Sequence, residues 1–105
     1  TGATISVPLI TTPQALSGAG AINITTGTTA FTSTGALQAL TLADGSNGQI
    51  KTIVHVVAGG SGVLTPTTKS GYTNITFTNI GDSVTLQFFT GAGWCIVGIF
   101  GAVAA

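Results

Sequence analysis

Short runs of β-favouring residues, broken by Gly, Asn and Asp, follow one another along most of the chain. No segment combines helix length with a helical period of apolar positions. The runs predict strands at 21–26, 28–33, 36–42, 49–57, 63–66, 73–78, 83–90 and 94–100. This rhythm is typical of an all-β fold, and we expect a small single-domain antiparallel β-sandwich or jelly-roll-like barrel.

Local patterns sharpen this prediction. Residues 21–26 and 28–33 flank Gly27 and indicate a hairpin, while residues 14–20 have the composition of a turn. The run 49–57 is apolar on both faces, which is typical of a central strand. Adjacent side chains of a strand point to opposite faces, so one of Phe88 and Phe89 is expected in the core and the other at an inter-subunit contact.

The first residues form a distinct segment. Ile5, Val7 and Leu9 alternate onto one face, but Pro8 interrupts the run and cannot donate to a strand ladder. We therefore expect residues 1–12 to form an extended N-terminal arm, suited to reach a neighbouring subunit, and residues 13–105 to form the β domain.

Charge is scarce in this chain. Only 4% of the residues are charged and the formal net charge is zero, whereas a typical soluble domain has about 25% charged residues. Thr supplies 20 of the 105 residues, and a neutral polar surface is buried without ion desolvation. The composition favours a subunit of a larger assembly, with a neutral soluble monomer as the alternative.

The same composition argues against two classes of partner. The chain has two lysines and no arginine, too few cations to neutralise nucleic-acid phosphates or to bind an anionic membrane surface. The apolar tail, residues 91–105, is shorter than the roughly 20 residues of a membrane-spanning helix. We expect neither a nucleic-acid nor a membrane partner.

Candidate catalytic chemistry is sparse. His55 and Cys95 are single, and both lie in apolar runs that predict burial. Asp44 and Asp82 adjoin turn glycines, where carboxylates commonly bind backbone N–H groups. A triad of His55 with Ser61 or Ser83 and one aspartate stays open, without a local motif to support it. We predict no catalytic, cofactor-binding or metal-binding residues, and no enzyme.

The aromatic residues suggest binding surfaces instead. Phe89, Trp94 and Phe100 near the carboxyl end, together with the apolar residues of the arm, are our candidates for an assembly interface. Tyr72 and Trp94 are alternatives for contact with a glycan.

Part of the chain, roughly residues 37–97, resembles small β-rich virion proteins of tailed phages, especially aquatic, cyanophage-like ones. The segments that carry this resemblance are 39–45, 48–54, 62–66, 76–77, 81–87 and 93–94. The resemblance implies a trimeric, non-enzymatic subunit on the capsid surface of a virion.

From these observations we expect a homotrimeric capsid decoration or cement protein that binds the major capsid protein or another virion protein. A tail-fibre module that binds a receptor or glycan is the alternative. A third possibility is a small self-assembling surface or matrix protein of a cell.

Overall fold

The computed structural model describes residues 11–105. The predicted arm therefore lies almost entirely outside the described residues, as do its candidate interface residues Ile5, Val7 and Leu9. Within the described part, the chain forms strands and no helix. The strands are β1 Gln14–Ser17, β2 Gly20–Ile22, β3 Thr28–Ser33, β4 Gln38–Leu42, β5 Ile50–Ala58, β6 Gly62–Pro66, β7 Ile75–Phe77, β8 Ser83–Phe89, β9 Gly93–Phe100 and β10 Val103–Ala104.

Two five-stranded sheets make up the domain. Sheet A has the order β1-β3-β5-β8-β9, and sheet B has the order β10-β7-β6-β4-β2. Strand β5 lies in the middle of sheet A, which confirms the prediction of a central strand. The all-β prediction is also confirmed.

The first six strands alternate between the two sheets. Strands β1, β3 and β5 pair in parallel in sheet A, while β2, β4 and β6 pair in parallel in sheet B. Corresponding positions therefore stack from strand to strand, as in the ladder Gly20–Leu40–Leu64. This half of the domain is a short two-sheet β-coil, in which parallel strands stack from turn to turn as they do in the β-helices of solenoid proteins.

The last four strands close one end of that coil with antiparallel pairs. Strand β7 pairs with β6 and β10 with β7 in sheet B, while β8 pairs with β5 and β9 with β8 in sheet A. The sheets are thus mixed, and the expectation of purely antiparallel pairing is wrong for the first half of the domain.

Two local predictions also need correction. Residues 21–26 and 28–33 do not form a hairpin, because β2 lies in sheet B and β3 in sheet A. The chain crosses between sheets at Gly27 instead of turning back. Residues 14–20 are not simply a turn, since they contain β1 and the start of β2; only the short link between these strands turns.

The core lies between the sheets and takes side chains from both. Burial alternates along β3 and β8, as expected for strands with one face inward. The Trp94 side chain is fully buried, and its indole N–H donates to the Ala43 carbonyl at 2.8 Å. The buried apolar residues are Ile22, Phe31, Leu40, Leu42, Ile53, Leu64, Ile75, Phe77, Val84, Leu86, Phe88, Trp94 and Ala102.

Candidate functional site

A lysine lies inside the domain. Strand alternation places Lys51 on the inner face of β5 with Ile53, and its side chain is 0% exposed. Its Nζ donates to Asn23 Oδ1 at 2.9 Å, to the Thr26 carbonyl at 3.0 Å and to Thr26 Oγ1 at 2.9 Å. Three acceptors match the three donors of an ammonium. Burial lowers the pKa of Lys51 from 10.5 to about 8.

Sequence reasoning missed this lysine site. The signal was the period of two along β5, which puts Lys51 on the same face as Ile53 and His55. Asn23 and Thr26 lie in the connection between β2 and β3, and nothing in the linear pattern shows that this connection passes over Lys51.

The single histidine also lies in the core. The His55 ring stacks on Phe31 with centroids 5.2 Å apart, and its Nε2 is 2.7 Å from Ser33 Oγ. Its partner is thus Ser33, not the Ser61 or Ser83 considered from sequence. The Nδ1 atom is buried without a hydrogen-bond partner among the described residues.

The arrangement of Ser33 and His55 suits a structural hydrogen bond. Both side chains are buried, so the serine oxygen is closed to a substrate. The Gly60 backbone N–H donates to the same oxygen at 3.0 Å, which ties β3 to the turn that follows β5.

The two aspartates differ in their surroundings. Asp82 is buried, and its Oδ2 accepts the backbone N–H groups of Thr78 and Asn79 at 2.9 Å each. This agrees with the predicted role of a turn residue. Asp44 is exposed.

As a result, little charge reaches the surface. Lys51 and Asp82 are buried, Lys69 is half-buried with its Nζ donating to the Pro66 carbonyl, and Asp44 alone among the four is exposed. The surface of residues 11–105 is therefore poorer in ions than the composition indicates.

Large apolar side chains occupy part of that surface. We call Ile80, Val97, Ile99, Phe100 and Val103 the C-terminal apolar surface; Phe100 is 75% exposed. They lie on the β7–β8 connection, the end of β9 and β10, and a bridge between Ser83 and Gly101 links the start of β8 to the residue after β9. Ile99 pairs with the buried Val84, so its neighbour Phe100 points to the opposite face of sheet A. Exposed large apolar side chains on neighbouring elements are typical of an interaction site.

The three described interface candidates fall in different places. Phe100 belongs to the C-terminal apolar surface. Phe89 is 40% exposed at the far end of β8, whereas Phe88 is buried, as predicted for neighbours on a strand. Trp94 lies wholly in the core, edge-on to Phe88, so its side chain offers no area to a partner protein or glycan.

The other glycan candidate is also engaged internally. The Tyr72 hydroxyl donates to the Trp94 carbonyl at 2.9 Å. Burial, followed by the nearby Cys95, raises the pKa of Tyr72 to about 12. Cys95 itself is half-buried as a free thiol. Tyr72 therefore acts first as a link between the β6–β7 connection and β9.

A shallow apolar groove marks the outer face of sheet A. Its volume is about 250 Å³. Its lining comes from β3, β5 and the residue before β1, and consists of Pro13, Thr28, Thr29, Ala30, Val54 and Val56. None of these residues carries charge, so this face is as neutral as the C-terminal apolar surface.

Residues 11–105 contain no group of three or more His, Cys, Asp or Glu side chains placed to hold a metal ion. Nor does this part of the chain form a helix that is long and apolar enough to span a membrane. No protein-family model matches the sequence, and no curated protein matches it significantly.

Proposed function

We propose that this protein is a non-enzymatic structural subunit that works in a larger assembly, as a homotrimeric decoration or cement protein on a phage capsid. The observation that carries the proposal is the near absence of exposed charge beside a surface of exposed Ile, Val and Phe side chains. Solubility of a free monomer normally depends on a charged surface.

Self-association would bury the exposed apolar side chains of this surface. The C-terminal apolar surface has no charged residue, so several copies can bring it together without like-charge repulsion or ion desolvation. The neutral groove on sheet A leaves a second area for the major capsid protein or another virion protein. The resemblance of residues 37–97 to phage virion proteins supports the choice of a capsid over other scaffolds.

A protein can stabilise a capsid by binding to it, without catalysing a reaction. A subunit that binds only the assembled state stabilises it by mass action, and symmetric copies add avidity through several simultaneous contacts. Rigid, neutral side chains on a β-framework are suited to that work.

The first test is the mass of the purified chain in solution, measured by light scattering across micromolar concentrations. We expect trimers. The double variant Ile80→Ser/Phe100→Ser should weaken association by about 100-fold, since buried aromatic and aliphatic anchors dominate interface energies. The matched control is Leu37→Ser, which removes an exposed apolar side chain outside the C-terminal apolar surface and should leave association unchanged.

A well-folded monomer at high concentration would overturn the trimer. A second test, electron microscopy of the native source, shows where this protein is located. Density for this chain on the capsid lattice supports decoration, whereas density at a tail tip favours receptor binding, and a lattice without a virus favours a cellular surface protein.

A further inference from the structure

Lys51 is held against a side-chain amide in the interior of the domain. The Lys51 Nζ lies 2.9 Å from Asn23 Oδ1, and the lysine side chain is completely buried. Strand β5 positions the amine, and Asn23 directly follows β2. An amine and a carboxamide kept together in this way have a high effective concentration for reaction with each other.

The Asn23 carbonyl is fixed and polarised. Its Oδ1 accepts the Thr26 backbone N–H at 3.3 Å and lies 2.9 Å from Thr26 Oγ1, in addition to the contact with Lys51. The Asn23 backbone N–H is itself bound to Gln14 Oε1 at 2.9 Å. Donors aimed at a carbonyl oxygen stabilise the negative charge that develops there when the carbon is attacked.

The amine is also prepared as a nucleophile. Only the neutral form has a free electron pair, and burial lowers the pKa of Lys51 to about 8. About a tenth of the amine is then neutral at pH 7, against less than a thousandth for an ordinary lysine.

We propose that Lys51 and Asn23 form an intramolecular isopeptide bond. The electron pair of Nζ attacks Cγ of Asn23, and the Thr26 N–H holds the oxyanion on Oδ1. The Cγ–Nδ2 bond then breaks, and the amide nitrogen leaves as ammonia with a proton from Nζ. Thr26 Oγ1 lies 2.9 Å from both Nζ and Oδ1 and 2.8 Å from the Thr28 carbonyl. Its lone pairs accept the proton that Nζ loses, and its hydroxyl passes a proton to the departing amide nitrogen. The reaction needs no oxidant, reductant or cofactor.

The bond would join the β2–β3 connection covalently to the central strand of sheet A. It would close a loop from residue 23 to residue 51 and thereby restrict the unfolded chain, as a disulfide does. Cross-linking within one chain is independent of assembly, so its test stands apart from that of the proposed function.

Trypsin gives a direct readout. The two lysines, Lys51 and Lys69, are the only tryptic sites, because the chain has no arginine. After denaturation, a linear chain yields the peptides 1–51, 52–69 and 70–105. In a cross-linked chain Lys51 is no longer a substrate, so trypsin yields 1–69 and 70–105, and the first peptide lacks one ammonia, about 17 Da.

Two variants control this measurement. A succinimide at Asn47-Gly48 also releases ammonia, so Asn47→Ala should keep the mass deficit if the cross-link is its source. Lys69→Arg should keep it as well, whereas Lys51→Arg should abolish it. Fragmentation of the 1–69 peptide must locate the branch at Asn23 and Lys51.

Wild-type protein of unmodified mass that trypsin cleaves after Lys51 overturns the proposal. So does a deficit that disappears in Asn47→Ala. Both results come from chains with Lys51 intact, and they decide the question even if Lys51→Arg fails to fold.

Discussion

The two halves of the domain place their polar and apolar side chains differently. We call residues 14–66 the coil half and residues 75–104 the antiparallel half. In the coil half, polar side chains turn inward and bind one another across consecutive turns, as Lys51 does with Asn23 and Thr26. In the antiparallel half, the end of β9 turns apolar side chains outward, with Phe100 as the most exposed of them.

This difference predicts that stability and association depend on different parts of the domain. Parallel coils cannot be joined by tight hairpins, so their crossings need side chains that satisfy the backbone and hold each turn on the next. The antiparallel half contains the hairpin β8–β9, whose two strands lie in the same sheet and need no crossing between them. Several apolar side chains at the end of β9 are exposed. Substitutions inside the coil half should therefore act on stability, and those on the C-terminal apolar surface should act on association.

The largest effect is expected for Lys51→Ala. The substitution removes a buried side chain and leaves the oxygens of Asn23 and Thr26 without their donor, so the free energy of unfolding should fall by about 3 kcal/mol. Urea denaturation monitored by Trp94 fluorescence measures it. Lys69→Ala is the control, with a change below about 0.5 kcal/mol; equal losses in the two variants would contradict a special role for Lys51.

A smaller loss is expected for Ser33→Ala. His55 Nε2 and the Gly60 N–H lose their common partner, and orphaned buried groups of this kind cost about 2 kcal/mol in total. The exposed Ser17→Ala in β1 is the comparison variant. Thermal denaturation of both should show a lower midpoint for Ser33→Ala alone.

Tyr72 lies in the connection between the two halves and donates to the Trp94 carbonyl, and Tyr72→Phe should cost about 1 kcal/mol through the loss of this hydrogen bond. It should also change the pH dependence. The pKa of Tyr72 rises from 10.0 to about 12 on folding, so between these values the folded state holds the proton more firmly. Wild-type stability should fall as pH rises through this window, and Tyr72→Phe should lack that contribution. Parallel pH profiles for the two proteins would contradict the assignment.

The smallest effect concerns Leu37, which has a positive φ of 50° in the turn before β4. This conformation is strained for a side chain with a Cβ. Leu37→Gly should relieve the strain and raise stability by about 0.5 kcal/mol, after the entropy cost of glycine. Leu37→Ala keeps the Cβ and should show no such gain in urea denaturation.

Strand positions were largely predictable from the sequence, because alternation and turn residues are local signals. The predicted strand 28–33 coincides with β3, and 94–100 lies within β9. Strand pairing was not predictable in the same way. A crossing such as Thr26-Gly27-Thr28 has the same composition whether the chain turns back on itself or passes to the opposite sheet.

The hydrogen bonds of the buried polar side chains could not be predicted from the sequence for a related reason. Lys51 and Asn23 meet only because the coil brings the β2–β3 connection over β5, a contact between residues 28 positions apart in the chain. Burial of His55 could be inferred from its apolar neighbours, but its partner Ser33 comes from the adjacent parallel strand, whose register is a property of the whole sheet.

Because the strands alternate between two sheets, each turn of the coil contributes one strand to each sheet. One further turn, spliced in between β4 and β5, would add a strand to each sheet and extend the stack by about 4.8 Å. The strands β7–β10 would remain as they are, so a longer coil would keep the same closing strands and the same C-terminal apolar surface.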